Sequence, residues 1–211
     1  MKQPKGRGQH VLYLDFDGVL HHEDVWRRPR RGLYFGPKGV GHTLFENAPL
    51  LEHLLSPYPD VLIVLSTSWV PSLRYSRAVS KLPPGLKARV VGATFHTRMN
   101  RNFFNCLTRA HQVLDDVDRR QPGAWVAVDD ALGWPKESLP HFVPSDPVAG
   151  IADPDVTRDL ATKLQLHFGR SASGPGEART SKASLQSQPQ VPYRLRSCTH
   201  VFGAEPVTSK I

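Results

Sequence analysis

The 211-residue sequence contains only two cysteines and no long hydrophobic run. Because a disulfide framework needs several cysteines, Cys106 and Cys198 are expected to be reduced thiols. The longest aliphatic run, VLIVL at residues 61–65, is far shorter than the roughly 20 residues of a membrane helix. The basic start, MKQPKGRGQH, precedes no apolar stretch of signal-peptide length. These absences favour a cytoplasmic protein without a membrane partner.

Acidic residues are also few relative to basic ones. The sequence has 27 Lys and Arg against 19 Asp and Glu, a formal net charge of +8. Residues 1–169 hold 21 and 17 of these, and residues 170–211 hold 6 and 2, so each part carries a net +4. An excess of this size suits an anionic partner such as a nucleic acid, and binding through several phosphate contacts would depend steeply on salt.

Composition divides the chain into an arm, a body and a tail. Residues 1–9 form a basic N-terminal arm, and residues 10–168 have the composition of one globular domain. Residues 169–211 are rich in Ser, Gly, Pro and Gln, and they cannot bury enough apolar surface to offset the entropy lost on ordering. We therefore predict a disordered basic tail, whose last residues, 195–211, regain enough apolar side chains for a short docking strand.

Strand and helix patterns alternate along the body. Asn47 and Asp153 are the expected capping residues of two of the helices. Alternation of this kind predicts an α/β fold, a Rossmann-like three-layer sandwich with a mainly parallel five-stranded sheet. The predicted strands are 11–14, 61–65, 89–91, 125–128 and 141–143, and the predicted helices are 47–55, 71–81, 102–117 and the segment after Asp153.

Polar residues follow three of these strands, where a parallel sheet binds its ligands. Crowded carboxylates repel one another unless a cation neutralises them, and a hard divalent cation such as Mg²⁺ prefers oxygen ligands. The sequence therefore predicts a magnesium site at this edge of the sheet. The residues are Asp15 and Asp17, then Ser66, Thr67 and Ser68, then Asp129 and Asp130.

Two other kinds of metal site do not fit the residues in and after the first motif. An EF-hand loop needs glycine at position six and glutamate at position twelve, whereas Gly18 is at position four and Trp26 at position twelve. His21 and His22 are adjacent, so in a strand they point in opposite directions and are not predicted to bind one metal ion.

Three segments together resemble the haloacid dehalogenase (HAD) superfamily of phosphohydrolases. They are DFDGVL (15–20), VLIVLSTSW (61–69) and VAVDDA (126–131), in this order and each at a strand. The resemblance covers residues 10–168, which it identifies as a HAD-like catalytic domain. LSTSW and the compact spacing are also similar to a group of small HAD-domain proteins, some of which are linked with RNA-repair modules.

The resemblance implies a role for each polar residue. Asp15 would be the nucleophile that forms an aspartyl-phosphate, and Asp17 the general acid and base. Ser66 would hydrogen-bond the transferring phosphoryl group, with Thr67 taking this role if the strand ends one residue later. Mg²⁺ would be bound by Asp15, the backbone carbonyl of Asp17, Asp129 and Asp130.

The superfamily's usual third-motif lysine is absent before the 102–117 helix. Arg101 directly precedes this helix and Arg98 lies nearby, so one of the two is expected to bind a phosphoryl oxygen instead.

A large cap domain has no room in this sequence. Only 48 residues separate Asp17 from Ser66, and after the helix at 47–55 the remainder suffices for a hairpin flap at 21–46. Open members of the superfamily often act on large substrates such as protein or nucleic-acid ends. In the flap, Arg27 and Arg28 are the predicted substrate-binding residues, because arginines contact phosphates while neighbouring aromatic side chains stack on bases.

The expected function is a Mg²⁺-dependent phosphatase that works through an aspartyl-phosphate on a phosphorylated substrate, with nucleic-acid ends or nucleotides preferred. The alternative is a weakly active or inactive HAD-like module that binds RNA or protein through its basic flap and tail. A third candidate, a phosphotransferase or mutase, would pass the phosphoryl group to an acceptor other than water.

Overall fold

The computed structural model describes residues 4–28, 32–169 and the backbone of 209–210. Its strands are β1 (His10–Leu14), β2 (Val25–Arg28), β3 (Gly32–Phe35), β4 (Leu62–Leu65), β5 (Val90–Ala93), β6 (Ala124–Asp129), β7 (Phe142–Pro144) and β8 (Ser209–Lys210). Its α-helices are α1 (Ala48–Leu55), α2 (Trp69–Leu73), α3 (Tyr75–Val79), α4 (Pro84–Arg89), α5 (Arg101–Cys106), α6 (Arg109–Arg120) and α7 (Pro154–Phe168). Short 3₁₀ helices cover Pro37–Gly39 and Lys136–His141.

Five strands form one parallel sheet in the order β5-β4-β1-β6-β7, which confirms the predicted α/β architecture. The chain passes outward from β1 through β4 to β5, and then returns to β6 on the other side of β1. Leu14 pairs with both Leu65 and Val128, so β1, β4 and β6 end at the same level. The direction of winding reverses between β1 and β6, which is where ligands bind in such sheets.

Both faces of the sheet are covered, as a parallel sheet requires. Leu12 and Leu14 of β1 face a core that includes side chains of α1 and α7. Val11 and Tyr13 face a second core that includes side chains of α6. The four residues are fully buried, so β1 is an uninterrupted apolar run and the middle of a three-layer sandwich.

The two predicted helix caps had different outcomes. The Asp153 carboxylate accepts hydrogen bonds from the Asp155 and Val156 amides, which confirms this cap. Asn47 precedes α1 but forms no side-chain cap, so that prediction was wrong. Its amide nitrogen instead donates to Val19 O (3.2 Å) and Ala149 O (2.8 Å), and these bonds tie the loop after β1 to the segment before α7.

The single helix predicted over 102–117 is two helices, α5 and α6. The chain is extended at Leu107 and Thr108, and the Thr108 hydroxyl accepts from the His111 amide as the N-cap of α6. Gln112 donates to Phe104 O and Leu107 O, so the carbonyls at the end of α5 find a partner. The apolar periodicity continues across this break, which explains why the sequence alone indicated one helix.

The helix predicted over 71–81 is also interrupted. It forms as α2 and α3, separated at Arg74, whose φ of 77° lies outside the helical region. The strand predicted over 89–91 forms as β5, which begins one residue later, at Val90, and ends at Ala93.

Residues 21–46 contain the predicted hairpin flap and, among the described residues, no large cap domain. β2 and β3 pair antiparallel, and β8 pairs with the other edge of β2.

From the arm, the Gly8 amide donates to Gln121 O (2.9 Å) at the end of α6. The predicted disordered tail, with Cys198, lies outside the described residues except for Gly169 and the backbone of 209–210. In the described part of the chain, none of the helices has the length and apolar character to cross a membrane.

Candidate active site

A row of polar residues lies at the carboxyl ends of the five parallel strands. Main-chain hydrogen bonds hold the row together, because the Asp15 amide donates to Val128 O (3.2 Å) and the Ser66 amide to Leu14 O (2.8 Å). From β5 to β7, the row consists of Thr94, Ser66, Asp15, Asp129 and Ser145. The sheet therefore brings together residues that lie far apart in the sequence.

Three carboxylates of this edge form one cluster. Asp15, Asp129 and Asp130 each offer an oxygen atom, and these atoms lie within 4.8 Å of one another. Asp15 is 3% exposed and Asp129 1% exposed, whereas Asp130 is partly buried. Burial of several negative charges at this spacing needs compensation by positive charge.

Arg109, the first residue of α6, places its guanidinium group in contact with this cluster. Its Nη2 donates to Asp15 Oδ2 at 3.2 Å, and its Nε lies 3.0 Å from Asp129 Oδ2 in an ion pair. Gln112 Oε1 accepts from Arg109 Nη1 at 3.0 Å and fixes the side chain from the adjacent helical turn. Burial alone would lower the pKa of Arg109, but Asp15 and Asp129 outweigh it and raise that pKa.

One guanidinium does not neutralise the cluster. Burial, followed by the charge of Asp15, raises the pKa of Asp130 to about 7. The same two causes raise the pKa of Asp129 well above its usual range, against the effect of Arg109. These carboxylates therefore fit a hard divalent cation such as Mg²⁺, whose charge would favour their ionised forms.

Gly18 allows Asp130 to approach the loop after β1. Its φ of 67° lies in the left-handed region, and a Cβ atom there would be 2.3 Å from Asp130 Oδ2. Ser145 donates to the Gly18 carbonyl at 2.7 Å and holds this turn in place. A side chain at position 18 would have to displace the Asp130 carboxylate.

Asp17 is held apart from the cluster by two buried rings. Trp69 Nε1 donates to Asp17 Oδ2 at 2.8 Å, and His21 Nε2 lies 3.1 Å from Asp17 Oδ1. The Phe45 amide donates to His21 Nδ1, so the proton of the neutral imidazole is on Nε2 and is donated to Asp17. Burial lowers the pKa of His21 to about 4, which keeps this ring neutral at physiological pH.

The two hydroxyl residues after β4 differ in their contacts. Ser66 is 1% exposed, and its Oγ has no hydrogen-bond partner among the described residues. The Thr67 hydroxyl accepts from the Trp69 amide at 3.3 Å. The buried unpaired oxygen next to Asp15 in the row therefore belongs to Ser66.

Residues 11–156 match the family described as "HAD domain in Swiss Army Knife RNA repair proteins". The match spans more than half of the chain and includes every residue of the site from Asp15 to Ser145. The chain belongs to this family. No curated protein and no solved structure matched the chain.

Membership of this HAD family favours a phosphohydrolase and confirms the resemblance inferred from the three sequence motifs. Asp15, Ser66, Asp129 and Asp130 come together as expected, whereas Asp17, on the loop after β1, has its carboxylate on His21 and Trp69.

In this HAD domain, the guanidinium beside Asp15 is that of Arg109 instead of Arg101 or Arg98. Arg101 and Arg98 are exposed, and Arg101 begins the separate helix α5. The break before Thr108 starts a new helix whose first residue reaches the carboxylates. The available sequence signal was Thr108, a favoured N-cap residue inside the apparent helix.

Sequence reasoning also assigned no role to several residues that contact the site. They are His21, the indole of Trp69, the Gln112 amide and the Ser145 hydroxyl, and no local pattern in the sequence marks them as part of the site.

On the flap, the two predicted substrate-binding arginines have different surroundings. Arg27 Nη1 donates to Ser72 O (3.3 Å), while the Arg28 guanidinium lies 5.4 Å from the centroid of the Tyr34 ring.

Proposed function

We propose that the protein is a Mg²⁺-dependent phosphatase that forms an aspartyl-phosphate at Asp15 and removes phosphate from nucleic-acid ends. The observation that carries this proposal is the buried group of carboxylates around one guanidinium at the reversal of strand order. A group of this kind is costly to bury unless it binds a cation and an anionic ligand. The cytoplasmic location expected from the sequence stays a prediction.

In the first step, a carboxylate oxygen of Asp15 attacks phosphorus and the bond between phosphorus and the ester oxygen breaks. Arg109 and Ser66 would bind phosphoryl oxygens, since a guanidinium and a hydroxyl both donate hydrogen bonds to them. Arg109 already contacts Asp15, so binding of the phosphoryl group would need only a small movement of this side chain.

Asp17 would transfer the proton in both steps. Its protonated form gives a proton to the departing alkoxide, and the resulting carboxylate then takes a proton from the water that attacks the aspartyl-phosphate. Inorganic phosphate is released and Asp15 is regenerated. We infer that His21 and Trp69 orient Asp17, because each donates a hydrogen bond to one of its two oxygens.

Asp15, Asp129 and Asp130 would hold the magnesium ion, with the backbone carbonyl of Asp17 as the further ligand expected from the superfamily. The ion supplies positive charge that screens the repulsion between the anionic nucleophile and the anionic phosphate. Gly18 supports this site from the protein side, since it leaves room for the Asp130 carboxylate.

A nucleic-acid end is the preferred substrate for four reasons. The chain has a net charge of +8, the flap contributes arginines, and the described residues include no large cap over the site. The family description also names RNA repair proteins. Oligonucleotide binding without turnover would instead favour the alternative, a HAD-like binding module.

Phosphate release tests the proposal. With Mg²⁺ present, the protein should release phosphate from an aryl phosphate and from an oligonucleotide with a terminal phosphate. Asp15→Asn should lower the rate by about 10³-fold or more. Asp155→Asn is the matched control, because this carboxylate is exposed on α7. Equal rates for wild type and Asp15→Asn, or no release across a broad panel, would contradict the proposal.

A further inference from the structure

The flap carries a cavity of about 500 Å³ that the proposed phosphoryl transfer does not use. Its lining includes Trp26, Arg28, Tyr34, Phe35 and Pro37, and the described residues contribute no carboxylate to it. A cavity of this size accommodates a small-molecule ligand or part of a larger one.

The hairpin register places two aromatic rings and one guanidinium on the same face. Trp26 of β2 is directly opposite Tyr34 of β3, and Arg28 follows Trp26 by two residues. Side chains two residues apart in a strand share a face, whereas Arg27 points to the opposite face. There Arg27 contacts Ser72 O, while Arg28 lies over the Tyr34 ring.

Buried contacts hold this aromatic wall in position. Asp24 is buried, and its two oxygens accept from Trp26 Nε1 (2.6 Å) and the Lys38 amide (2.9 Å). A Cβ atom at Gly36 would lie 2.4 Å from Asp24 and 2.6 Å from the Trp26 nitrogen, so only glycine fits there. Because the Trp26 indole is already fixed, a ligand that stacks on it would not have to order this side chain.

We propose that this cavity binds the base of a nucleotide next to the phosphate that the enzyme removes. A flat ring would stack on the aromatic wall of Trp26 and Tyr34, and Arg28 would bind a phosphate oxygen of the same strand. Arg28 gives the described lining a positive charge, which is complementary to the phosphate of such a ligand.

Two neighbouring rings, those of Phe35 and His21, lie between the cavity and Asp17. Phe35 lines the cavity, its ring centroid lies 6.0 Å from that of His21, and His21 contacts Asp17. The inference rests on the proposed function in one respect, namely that the phosphate next to the bound base is hydrolysed at Asp15. The binding of the base itself can be measured without turnover.

Equilibrium binding to the full-length Asp15→Asn protein tests the cavity. The probes are adenosine 5′-monophosphate, ribose 5-phosphate, which lacks the base, and a short single-stranded oligonucleotide with a 5′-phosphate. Base stacking predicts that the mononucleotide binds at least about tenfold more tightly than ribose 5-phosphate. Tighter binding of the oligonucleotide would identify the strand end as the source of the nucleotide, and equal binding would identify the free nucleotide.

Variants assign this preference to the aromatic wall. Trp26→Leu and Tyr34→Leu should each remove most of the preference for the base, whereas Trp26→Phe, which keeps a ring, should retain most of it. Tyr75→Leu is the matched control, because Tyr75 is an exposed aromatic residue on α3. Arg28→Gln should weaken all three probes, and Arg158→Gln on α7 provides its control.

Two results would overturn the inference: equal binding of the mononucleotide and ribose 5-phosphate, or an unchanged base preference in folded Trp26→Leu and Tyr34→Leu. If the phosphatase proposal alone fails, the wild-type protein will release no phosphate, but its binding of the base will still depend on Trp26. Conversely, equal hydrolysis of the mononucleotide and ribose 5-phosphate together with equal binding would reject the cavity and keep the phosphatase.

Discussion

The acidic site and the flap cavity are built in contrasting ways. Asp15, Ser66 and Asp129 follow buried strands of a five-stranded sheet, and main-chain hydrogen bonds between those strands set their positions. The flap cavity lies on a short hairpin with partly buried rings, of which Trp26 is held in place by the carboxylate of Asp24. The acidic site contains several closely spaced charged side chains. Among the described residues that line the cavity, Arg28 is the charged one.

This difference suggests a division between chemistry and recognition. Groups that must be positioned to within a fraction of an ångström benefit from a rigid sheet. Groups that select a substrate are commonly found on connecting segments, which tolerate variation between related proteins. Substitutions in the sheet site should therefore affect turnover of every substrate, whereas substitutions of the cavity's aromatic residues should affect only nucleotides.

The largest effect after the loss of Asp15 is expected for Arg109→Gln, which leaves Asp15 and Asp129 without their guanidinium. The kcat/KM should fall by about 10²–10³-fold for substrates with and without a base. Arg101→Gln and Arg98→Gln are the controls, and as exposed substitutions they should stay within about twofold of wild type. Steady-state kinetics at saturating Mg²⁺ checks this, and a larger loss in Arg101→Gln than in Arg109→Gln would contradict it.

Loss of a hydrogen bond to Asp17 should have the next largest effect. Trp69→Phe keeps a buried ring but removes the donor to Asp17 Oδ2, and should reduce turnover of alkyl phosphates by about 10–100-fold. Aryl phosphates should be affected less, because their leaving groups need less help from an acid. Trp134→Phe is the control, since it also loses an indole hydrogen bond, to Ala131 O. Equal losses with alkyl and aryl phosphates would argue against a role for Trp69 in proton transfer.

Gly18→Ala should weaken Mg²⁺ binding by at least about tenfold, because its methyl group would displace Asp130. Gly8→Ala is a matched control, with a φ of 68° and no atom within 4 Å of an added Cβ. Both variants should lose about 1 kcal/mol of unfolding free energy from the left-handed backbone. Calorimetric titration with Mg²⁺ and chemical unfolding separate the two effects, and similar Mg²⁺ affinities in the two variants would contradict the prediction.

Mg²⁺ affinity should also depend on pH. Since the pKa of Asp130 is raised to about 7, protons compete with the metal below that pH and hardly compete above it. For one such carboxyl, the apparent affinity should fall by about tenfold from pH 8 to pH 6. The base preference of the flap cavity should stay constant over this range, because no carboxylate lies among the described residues that line it. A Mg²⁺ affinity that does not change between pH 6 and pH 8 would contradict this prediction.

Local patterns in the sequence were sufficient to predict the parallel sheet and the acidic residues at its edge. The buried runs before Asp15, Ser66 and Asp129 indicate strands, and parallel strands place the residues after them side by side. Such an argument needs only the order of the elements, so it located these residues without knowledge of their contacts.

The remaining parts of the site depend on features that local patterns do not contain. The apolar spacing across Phe103, Leu107 and Ala110 is the same whether the helix is continuous or broken, so the position of Arg109 was not evident. The contact between Trp69 and Asp17 joins residues 52 positions apart in sequence, and the contact of His21 with Asp17 requires the flap to turn back after β1. These positions are determined by tertiary packing.

The most direct test of the central claim is to identify the residue that carries the phosphoryl group. In Asp17→Asn the phosphorylated enzyme should accumulate with an aryl phosphate, because the base that activates water is missing. Mass spectrometry of this protein after rapid quenching should find one added phosphoryl group, on the peptide that contains Asp15. Phosphate release by the wild type without modification of Asp15, or with modification of another residue, would contradict the account.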